Sequence, residues 1–560
     1  MEAFTPSTDP LGRQWFSALL AVLPITSMLV TLGVLRWRAH HAGALSWAVA
    51  ATIAVTVFQM PAGMAVATSL HGFAYGLFPI VWILLAAIWM YEVTVASGRF
   101  ADLRRTFFLI SDDPRVVGLV VAFCFGGLLE ALAGYGAPVA ITAAMLIAVG
   151  FAPLRAALVA LVANTVPVAF GAVGLPVDVA AQVGGFDSTL EIAPITGRIT
   201  ALLCLVVPFI ILYVMDGRRG LRQCWPIGVV IGASFGVTKW IVSGTALYNL
   251  TEMFAAVVSV VAALAFLRLW RPTGGEAART RIAGLIDEKI ESGFVPEVAE
   301  ETGQLTRRRI FMALVPYLLV IIVFCIAAIP SIRRSLASLN LTFDWPLLGG
   351  LMDADGAAAA HQQFTFSWAS SPGILLALVA VVSGLIYRMS LARIFGVLWA
   401  NVQRMRFSAL TIGCVVALAY VMGDSGQTMA LGLFVAGAGA IFAALAPVLG
   451  WLGTYVTGSD TSANILFSSL QSGVGAQIGQ DSHLGVEGMR RLLVGANASG
   501  GVVGKMISPQ SLTVAATAIG LAGAESVLLR KVFKWSLLLL VLMCVITGLM
   551  STPLISWLLP

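Results

Sequence analysis

Apolar tracts long enough to cross a lipid bilayer follow one another along this sequence, and they constrain the fold more than any other feature. The chain has 560 residues, of which 59% are hydrophobic and only 11% are charged. Soluble domains carry roughly a quarter charged residues, so a soluble core is excluded. At about 20 residues per crossing, the length predicts an all-α polytopic membrane protein with about 12–14 transmembrane helices.

The residue types that carry redox, metal or nucleotide chemistry are scattered. The six cysteines include no Cys-x-x-Cys pair, and the five histidines have no partner at zinc-binding spacing, so no metal or cofactor is predicted. No glycine-rich phosphate loop with its Gly-Lys-Ser/Thr ending is present. The net charge of +6 is typical of basic loops in a membrane protein and does not indicate nucleic-acid binding. We therefore expect a protein in contact with the lipid bilayer that is not an enzyme.

A polar segment divides the chain into two membrane halves. We predict a first half over residues 1–270, a polar linker with a short surface helix over 271–309, and a second half over 310–560. Basic residues after several apolar tracts favour a cytoplasmic linker with both termini outside. A second insert, over about 330–370, would then lie outside, although Arg333 and Arg334 within it do not fit this orientation.

Each half contains a tract that interrupts the apolar pattern, at about 115–180 and about 450–523. The two tracts share an Asn, a Gly seven residues later and a Pro twelve residues after the Asn. Interrupted apolar segments at corresponding positions of two halves indicate the binding site of a secondary transporter. The matched positions, each 333 residues apart, are Asn164 and Asn497, Gly171 and Gly504, and Pro176 and Pro509.

Such interruptions predict broken or re-entrant helices. Within hydrocarbon, irregular backbone is tolerated only where it packs inside protein or lines a cavity. Pro138, Pro176 and Pro509 suit the first turn of a resumed helix, and Ser508 and Asp460 are expected N-caps. Helix N-termini aimed at the membrane midplane would attract an anion.

Lys505 lies just before one of these resumed helices, in "GKMISPQS". An ammonium group within the membrane requires a partner or water, and by default it indicates a functional site. We therefore predict that Lys505 binds a substrate carboxylate. The alternatives are a lysine that extends to the interface, or a structural pair with an acid.

Two acids in the interrupted tracts are predicted to couple transport to protons. Glu130 falls at an expected helix C-terminal end, where the helix dipole and burial both disfavour the charged form, which suits a proton carrier. A fixed ion pair, even with Lys505, fits Glu130 equally well. Asp460, in "GSDTSAN", is either a second carrier or only a cap.

Neutral polar residues and one glycine of the same tracts complete the predicted substrate site, although such polar residues taken singly more often make a helix-to-helix hydrogen bond. Asp178 is expected to be structural, and Lys239 and Asp424 lie in apolar tracts without a motif. The further predicted substrate-binding residues are Tyr135, Gly136, Asn164, Thr165, Ser459, Asn497, Ser508 and Gln510.

Long stretches of the sequence resemble the bacterial L-lactate permeases, a family that includes glycolate permeases. The resemblance extends along the whole chain, and its clearest stretches are "EALAGYGAPVAITAA", "NTVPVAFGAVGLPV", "GWLGTYVTGSDTSANILFSSLQ" and "GGVVGKMISPQSLTVAATAIGLAG". It implies multi-pass insertion in the bacterial inner membrane and uptake of L-lactate, D-lactate or glycolate with protons. Tyr135 departs from the family, which usually shows Phe there, and "EALAGYG" departs from "EGAAGFG"; both changes bear on substrate preference.

Other classes remain open from the residues alone. A sodium-coupled carboxylate transporter could use the oxygens of "GSDTSAN" for the ion. A membrane enzyme would need redox ligands or an activated nucleophile, and a passive channel would not accumulate its solute. Lactate uptake with and without sodium, at fixed pH, separates proton from sodium coupling.

Overall fold

The protein is built almost entirely of helices packed side by side. The computed structural model describes residues 3–31, 35, 37–107, 110–133, 137–283, 306–352, 358–437, 439, 441–521 and 524–560. Up to the end of the linker helix, the α-helices are α1 (Gln14–Ala21), α2 (Leu23–Leu29), α3 (Ala39–Thr56), α4 (Ala62–Tyr75), α5 (Trp82–Ala96), α6 (Arg99–Phe107), α7 (Pro114–Leu119), α8 (Gly126–Ala133), α9 (Ala137–Val149), α10 (Pro153–Ala163), α11 (Gly171–Val183), α12 (Ala193–Ser243), α13 (Thr251–Leu267) and α14 (Gly275–Ala283).

The second half continues in the same manner, with one small hairpin in the 330–370 insert. Its α-helices are α15 (Arg307–Ala328), α16 (Pro330–Ala337), α17 (Pro372–Ile386), α18 (Leu391–Asp424), α19 (Gln427–Ala436), α20 (Ile441–Thr457), α21 (Asp460–Ile478), α22 (Gly485–Lys505), α23 (Pro509–Ala518) and α24 (Glu525–Met550). Strands β1 (Leu341–Asp344) and β2 (Gln363–Phe366) pair antiparallel, with Leu341 opposite Phe366. Stretches of π-helix, Gly76–Val81 and Val120–Phe125, join α4 to α5 and α7 to α8.

In the described part of the chain, seven helical runs are long and apolar enough to cross a membrane, which agrees with the predicted fold class. An eighth candidate is the pair Pro153–Ala163 and Val168–Val183, bent by 63°. The seven runs are Ala62–Ala96, Pro114–Leu132, Ala193–Ser243, Tyr248–Leu267, Arg307–Ala328, Leu391–Asp424 and Glu525–Met550. Four shorter apolar helices accompany them: Gln14–Leu29, Pro138–Val149, Pro372–Ile386 and Ile441–Thr457.

Burial distinguishes central helices from peripheral ones. The most apolar part of Pro114–Leu132 is 100% buried, whereas that of Arg307–Ala328 is 33% buried. The first interrupted tract therefore lies at the centre of the molecule, and α15 lies at its edge, where most of its apolar side chains are not covered by other helices.

The helix break predicted in the first half is present. Helix α10 ends at Ala163, a short 3-10 turn covers Val168–Phe170, and α11 begins at Gly171. Just inside α11, Ala172, Val173 and Gly174 have φ values of 45°, 60° and 80°. Left-handed backbone is rare for a β-branched residue, so this break is strained. The regular part of α11 then resumes around Pro176, the predicted first-turn proline.

The second half is broken at two points. Helix α20 ends at Thr457, Gly458 turns with φ +75°, and α21 begins at Asp460. Further along, α22 ends at Lys505 and α23 begins at Pro509. The corresponding interruption between α8 and α9, at residues 134–136, lies outside the described residues.

The capping predictions for these breaks had mixed outcomes. Ser508 caps α23: its Oγ accepts the backbone N–H of Ser511 at 3.2 Å. The prediction that Asp460 caps α21 is wrong, because Ser459 takes that position and accepts the backbone N–H of Ser462 at 3.3 Å. The Asp460 carboxylate is thereby free to face another helix.

The broken helices of the two halves pack on each other. Helix α11 of the first half lies against α21 and α22 of the second, and α23 lies against α9 and α10. Within the second half, α22 packs most extensively on α20 and α21. The interruptions therefore come together in the interior of the protein.

The structure describes residues 271–283 and 306–309 of the predicted linker, and the first of these stretches contains the short helix α14, which buried charges hold in place. The fully buried Arg115 pairs with Asp113 at 2.8 Å and with Asp216 at 3.1 Å. Asp216 also accepts from Arg281 of α14 at 2.7 Å. This network docks α14 on α7 and on the bend of α12; linker residues 284–305 lie outside the described residues.

Candidate functional site

A small, partly open cavity of about 30 Å³ lies where the broken helices meet. Its volume has room for about one or two water molecules. The break of α11, the first turn of α21, the last residue of α22 and α8 all contribute to its wall. The lining residues are Leu84, Glu130, Val168, Gly171, Ala172, Leu175, Pro176, Ser459, Asp460, Thr461 and Lys505.

Lys505 and Glu130 face each other across this cavity. The Lys505 Nζ lies 3.5 Å from the Glu130 Oε1, and the side chains are 9% and 2% exposed. Lys505 is the last residue of α22, where the negative end of the helix dipole favours a cation. The distance is long for a charge-assisted hydrogen bond, and the Glu130 Oε2 has no partner among the described residues. The pair is therefore an electrostatic contact and not a close hydrogen bond.

Asp460 places a second carboxylate at the same cavity. Its Oδ1 accepts from the Thr454 hydroxyl at 3.5 Å, and its Oδ2 has no hydrogen-bond partner in the described part of the chain. The residue is 2% exposed. A buried carboxylate with so few donors is costly when charged, which suits a group that carries a proton.

Two glycines leave the space that the carboxylates of Glu130 and Asp460 occupy. A Cβ on Gly171 would lie 3.1 Å from the Glu130 Oε1, and a Cβ on Gly501 would overlap the Asp460 Oδ1. Gly500 and Gly504 likewise let α22 approach the backbone of α20. Small residues at such spacing are the usual means by which membrane helices pack closely. The sequence pattern indicated a break near Gly171 and Gly504 but gave no sign of the role of Gly501.

A chain of amides connects the two interrupted tracts. The Asn497 Nδ2 donates to the Asn464 Oδ1 at 2.9 Å, and the Asn464 Nδ2 donates to the carbonyl of Pro176 at 3.1 Å. Gln471 also donates to the Asn497 Oδ1 at 3.3 Å. Asn497, a predicted ligand, thus makes helix-to-helix hydrogen bonds here. Asn464 was missed, although it lies in "GSDTSAN", because its partner belongs to the other half.

Asn164 and Thr165 lie at the end of α10, beside the break and outside the lining of the cavity. The Asn164 amide is buried, and neither its nitrogen nor its oxygen has a partner among the described residues. Thr165 donates to the carbonyl of Leu161 at 3.4 Å. Among the predicted neutral residues that the structure describes, Asn164 is therefore the one with the most unused hydrogen-bonding capacity.

Other predicted residues surround the second break or cannot be placed. The Ser508 Oγ donates to the carbonyl of Lys505 at 2.9 Å, which holds the turn behind the ammonium group. Gln510 is exposed and packs against Gly458 at the turn before α21. Tyr135 and Gly136 lie outside the described residues.

Asp178 forms a hydrogen-bonded cluster apart from the cavity, consistent with the structural role expected for it. Its Oδ1 accepts from Tyr248 at 2.7 Å and from Thr189 at 2.8 Å, and its Oδ2 accepts from Asn249 at 3.3 Å. Such full satisfaction is typical of a carboxylate that fixes a fold.

Among the described residues that line the cavity, Lys505 is the only cation, and Glu130 and Asp460 are the only acids. One ammonium group beside two carboxylates balances the charge of a single small anion when both carboxylates are protonated. The arrangement lacks a second cation for a dicarboxylate.

Comparison with known proteins places this architecture in a family. Residues 17–554 match the family described as L-lactate permease. The glycolate permease GlcA of Escherichia coli K12 is 39% identical over 98% of this chain and 98% of its own length. The L-lactate permease of Escherichia coli K12 is 36% identical over 100% of both chains. The chain belongs to the L-lactate permease family.

Membership in the L-lactate permease family confirms the resemblance seen in the sequence and identifies the chain as a multi-pass permease. Among solved structures, the Alcanivorax borkumensis YdaH transporter is similar with a TM-score of 0.45 and 15% identity, over 88% of this chain and 89% of that one. The cavity described above is the candidate site of this L-lactate permease family member.

Proposed function

We propose that this permease imports L-lactate, D-lactate and glycolate with protons across the bacterial inner membrane. Transport occurs by alternating access around the cavity that contains Lys505, near the membrane midplane. Family membership supports the substrate class, since the relatives are named for lactate and glycolate. The single observation that carries the mechanism is the loose pair between Lys505 and Glu130 in that cavity.

The substrate carboxylate replaces Glu130 as the partner of Lys505. A carboxylate in direct contact makes a shorter, charge-assisted hydrogen bond than the present 3.5 Å contact. The first turn of α21 adds backbone N–H groups and the positive end of a helix dipole. The Asn164 amide, whose nitrogen and oxygen are both without a hydrogen-bond partner among the described residues, is our candidate for binding the 2-hydroxyl group.

Charge balance supports proton coupling and suggests its ratio. With Lys505 charged, the empty cavity is neutral when one of the two carboxylates is protonated. Binding a monocarboxylate anion keeps the cavity neutral if the other carboxylate takes up a proton. One proton per anion follows, and it removes the opposition of about 2.3 kcal/mol per 100 mV that a lone anion meets on entry.

Substrate entry requires the broken helices to separate. The cavity, at about 30 Å³, is too small for a hydroxy acid. We infer that the structure represents a closed state, with halves 1–270 and 310–560 joined by a cytoplasmic linker over 271–309. The turns at Gly458 and between Lys505 and Pro509 are the points at which the second half can open.

Uptake by proteoliposomes tests the function. Purified protein is reconstituted, and labelled L-lactate uptake is measured under imposed pH and voltage gradients, with glycolate and pyruvate as competitors. We expect accumulation driven by an inward proton gradient, inhibition by glycolate, and no requirement for sodium. Accumulation that needs sodium at fixed pH would instead assign a sodium-coupled carboxylate transporter.

Lys505→Ala should weaken lactate binding by about 10–100-fold, because a hydrogen bond to a charged group contributes about 1.5–3 kcal/mol. Binding is measured by calorimetry on detergent-solubilised protein that elutes as a single species. Lys534→Ala, at an exposed position of α24, serves as the control and should bind like the wild type. Wild-type affinity in Lys505→Ala would remove this residue from the site.

Glu130→Gln should reduce proton-driven accumulation at least about tenfold and reduce exchange of internal for external lactate much less. Exchange needs no net proton movement, whereas accumulation requires the carboxylate to load and release a proton. Both rates are measured in the same proteoliposomes, with Glu487→Gln at an exposed ion pair as the control. An equal loss of both activities would indicate a structural role for Glu130.

A further inference from the structure

A second lysine–carboxylate pair lies in the membrane region, and neither of its residues lines the cavity. The Lys239 Nζ of α12 lies 2.5 Å from the Glu252 Oε1 of α13, and both side chains are 0% exposed. Intramembrane charges are rare, and they usually indicate function. The proposed mechanism does not use this pair.

The Lys239 ammonium group has a further contact, with the break of the first half. It donates to the carbonyl of Val166 at 2.8 Å, and it lies 5.4 Å from the centre of the Phe170 ring. Val166 belongs to the non-helical stretch between α10 and α11. Since irregular backbone inside a membrane must find hydrogen-bond partners within the protein, Lys239 supplies one that the helix cannot.

The same helical hairpin holds the break at a second point. Asn249, in the connection between α12 and α13, donates from its Nδ2 to the carbonyl of Val173 at 2.9 Å. Val173 is one of the left-handed residues of the break. The hairpin therefore braces the backbone on both sides of Gly171, the residue that lies against Glu130.

We propose that Lys239, charge-balanced by Glu252, is a positioning residue of the transport site. Its hydrogen bond to Val166 fixes the break so that Gly171 stays against Glu130 and the wall of the cavity is preformed. Lys239 does not touch the substrate. This inference rests on the proposed function for its consequence in transport, but the positioning itself has a readout that needs no substrate.

The competing explanation is an ion pair that serves only stability. Buried ion pairs can often be replaced by apolar residues of similar size with little loss of stability, whereas removing one partner is strongly destabilising. Two double variants therefore distinguish the explanations. Lys239→Met with Glu252→Leu removes both charges, and Lys239→Glu with Glu252→Lys keeps the pair but moves the ammonium group away from Val166.

Hydrogen–deuterium exchange of the segment 164–175 is the primary measurement, made on full-length protein without substrate. Both double variants should fold. The backbone amides of residues 164–175 should exchange about tenfold faster in them than in the wild type, because a hydrogen bond to a charged group is lost. Lactate affinity should fall by a similar factor. Wild-type exchange and affinity in a folded double variant would overturn the proposal.

Glu252→Asp covers the case in which neither double variant folds. Aspartate is one methylene shorter than glutamate, so this variant keeps both charges but draws the Lys239 ammonium group toward α13 and away from Val166. The amide exchange rate of residues 164–175 should therefore rise by about two- to threefold. Unchanged exchange in Glu252→Asp would also overturn the proposal. If the wild type itself fails to bind lactate, the proposed function is wrong, and the exchange comparison still decides whether Lys239 positions the break.

Discussion

Single glycines decide how closely the carboxylates of the site approach neighbouring helices. Gly501 of α22 leaves the space that the Asp460 Oδ1 occupies, and the Thr454 hydroxyl lies on the same side. The carboxylate can therefore lie between α20, α21 and α22 without contact with lipid. Any side chain at position 501 would compete with Asp460 for this space.

Gly501→Ala should lower stability by about 1–3 kcal/mol, since an added methyl group in a packed interior forces its neighbours to shift. It should also impair proton-coupled uptake, because the group displaced is Asp460. Thermal unfolding in detergent and uptake by proteoliposomes measure the two effects. Gly396→Ala is the matched control: nothing lies within 4 Å of its added Cβ, and it should be neutral or slightly stabilising. Wild-type behaviour of both variants would contradict the packing argument.

At the scale of elements, the break of α11 is strained and is held by its neighbours. Ala172 and Val173 both occupy left-handed backbone, which costs about 1–2 kcal/mol for each L-residue. Asn249 donates to the carbonyl of Val173 within the strained stretch, and Lys239 donates to the carbonyl of Val166 just before it. The break is thus a built part of the fold, and its strain lies beside the candidate site.

Ala172→Gly should leave stability unchanged or raise it by up to about 1 kcal/mol, because relief of left-handed strain exceeds the loss of one buried methyl group. Ala172→Val should lower stability, since a β-branched residue is disfavoured there. Thermal unfolding of both variants in the same detergent provides the comparison. If Ala172→Gly were less stable than Ala172→Val, the left-handed backbone would not be what determines the stability of variants at this position.

At the scale of the whole molecule, an ion pair attaches the 330–370 insert to the helices. The His361 Nδ1 lies 2.7 Å from the Asp424 Oδ1 at the end of α18, and the His361 ring stacks on Tyr420 with centres 4.1 Å apart. His361 lies outside the spanning helices. Burial by itself disfavours the imidazolium, but the Asp424 carboxylate outweighs it and raises the pKa of His361 above its ordinary value of 6.5.

Because of this pKa shift, the contribution of the His361–Asp424 ion pair to the stability of the fold depends on pH. Because the pKa of His361 is higher in the folded state, the contribution is complete below about pH 6.5 and is lost as the pH rises through the raised value. His361→Gln should therefore lower Tm at about pH 6 and change it little at about pH 9. Scans of Tm against pH, with the exposed His483→Gln as the control, check this. A Tm difference that grew with rising pH would contradict the ion pair.

The sequence predicted the local backbone features of the candidate site better than the contacts between its side chains. Gly and Pro spacing predicted the breaks at Gly171 and before Pro509, because these residues act on their own backbone. The pairing of Lys505 with Glu130 was one of the stated alternatives. The sequence offered the cap of α21 as one of two roles for Asp460, whereas Ser459 is the cap, because both residue types cap well and only the backbone conformation distinguishes them.

Taken alone, the sequence determined that the chain crosses the membrane many times, that each half contains interrupted helices, and that it resembles the lactate and glycolate permeases. Hydrophobicity and backbone preference are properties of short segments, so a single sequence expresses them directly. The tertiary structure alone decided which buried polar groups meet: Asn464 with Pro176, Lys239 with Glu252 and Val166, and Asp424 with His361. Most of these partners lie far apart along the chain, and a buried polar group accepts whichever partner the packing of helices brings within reach.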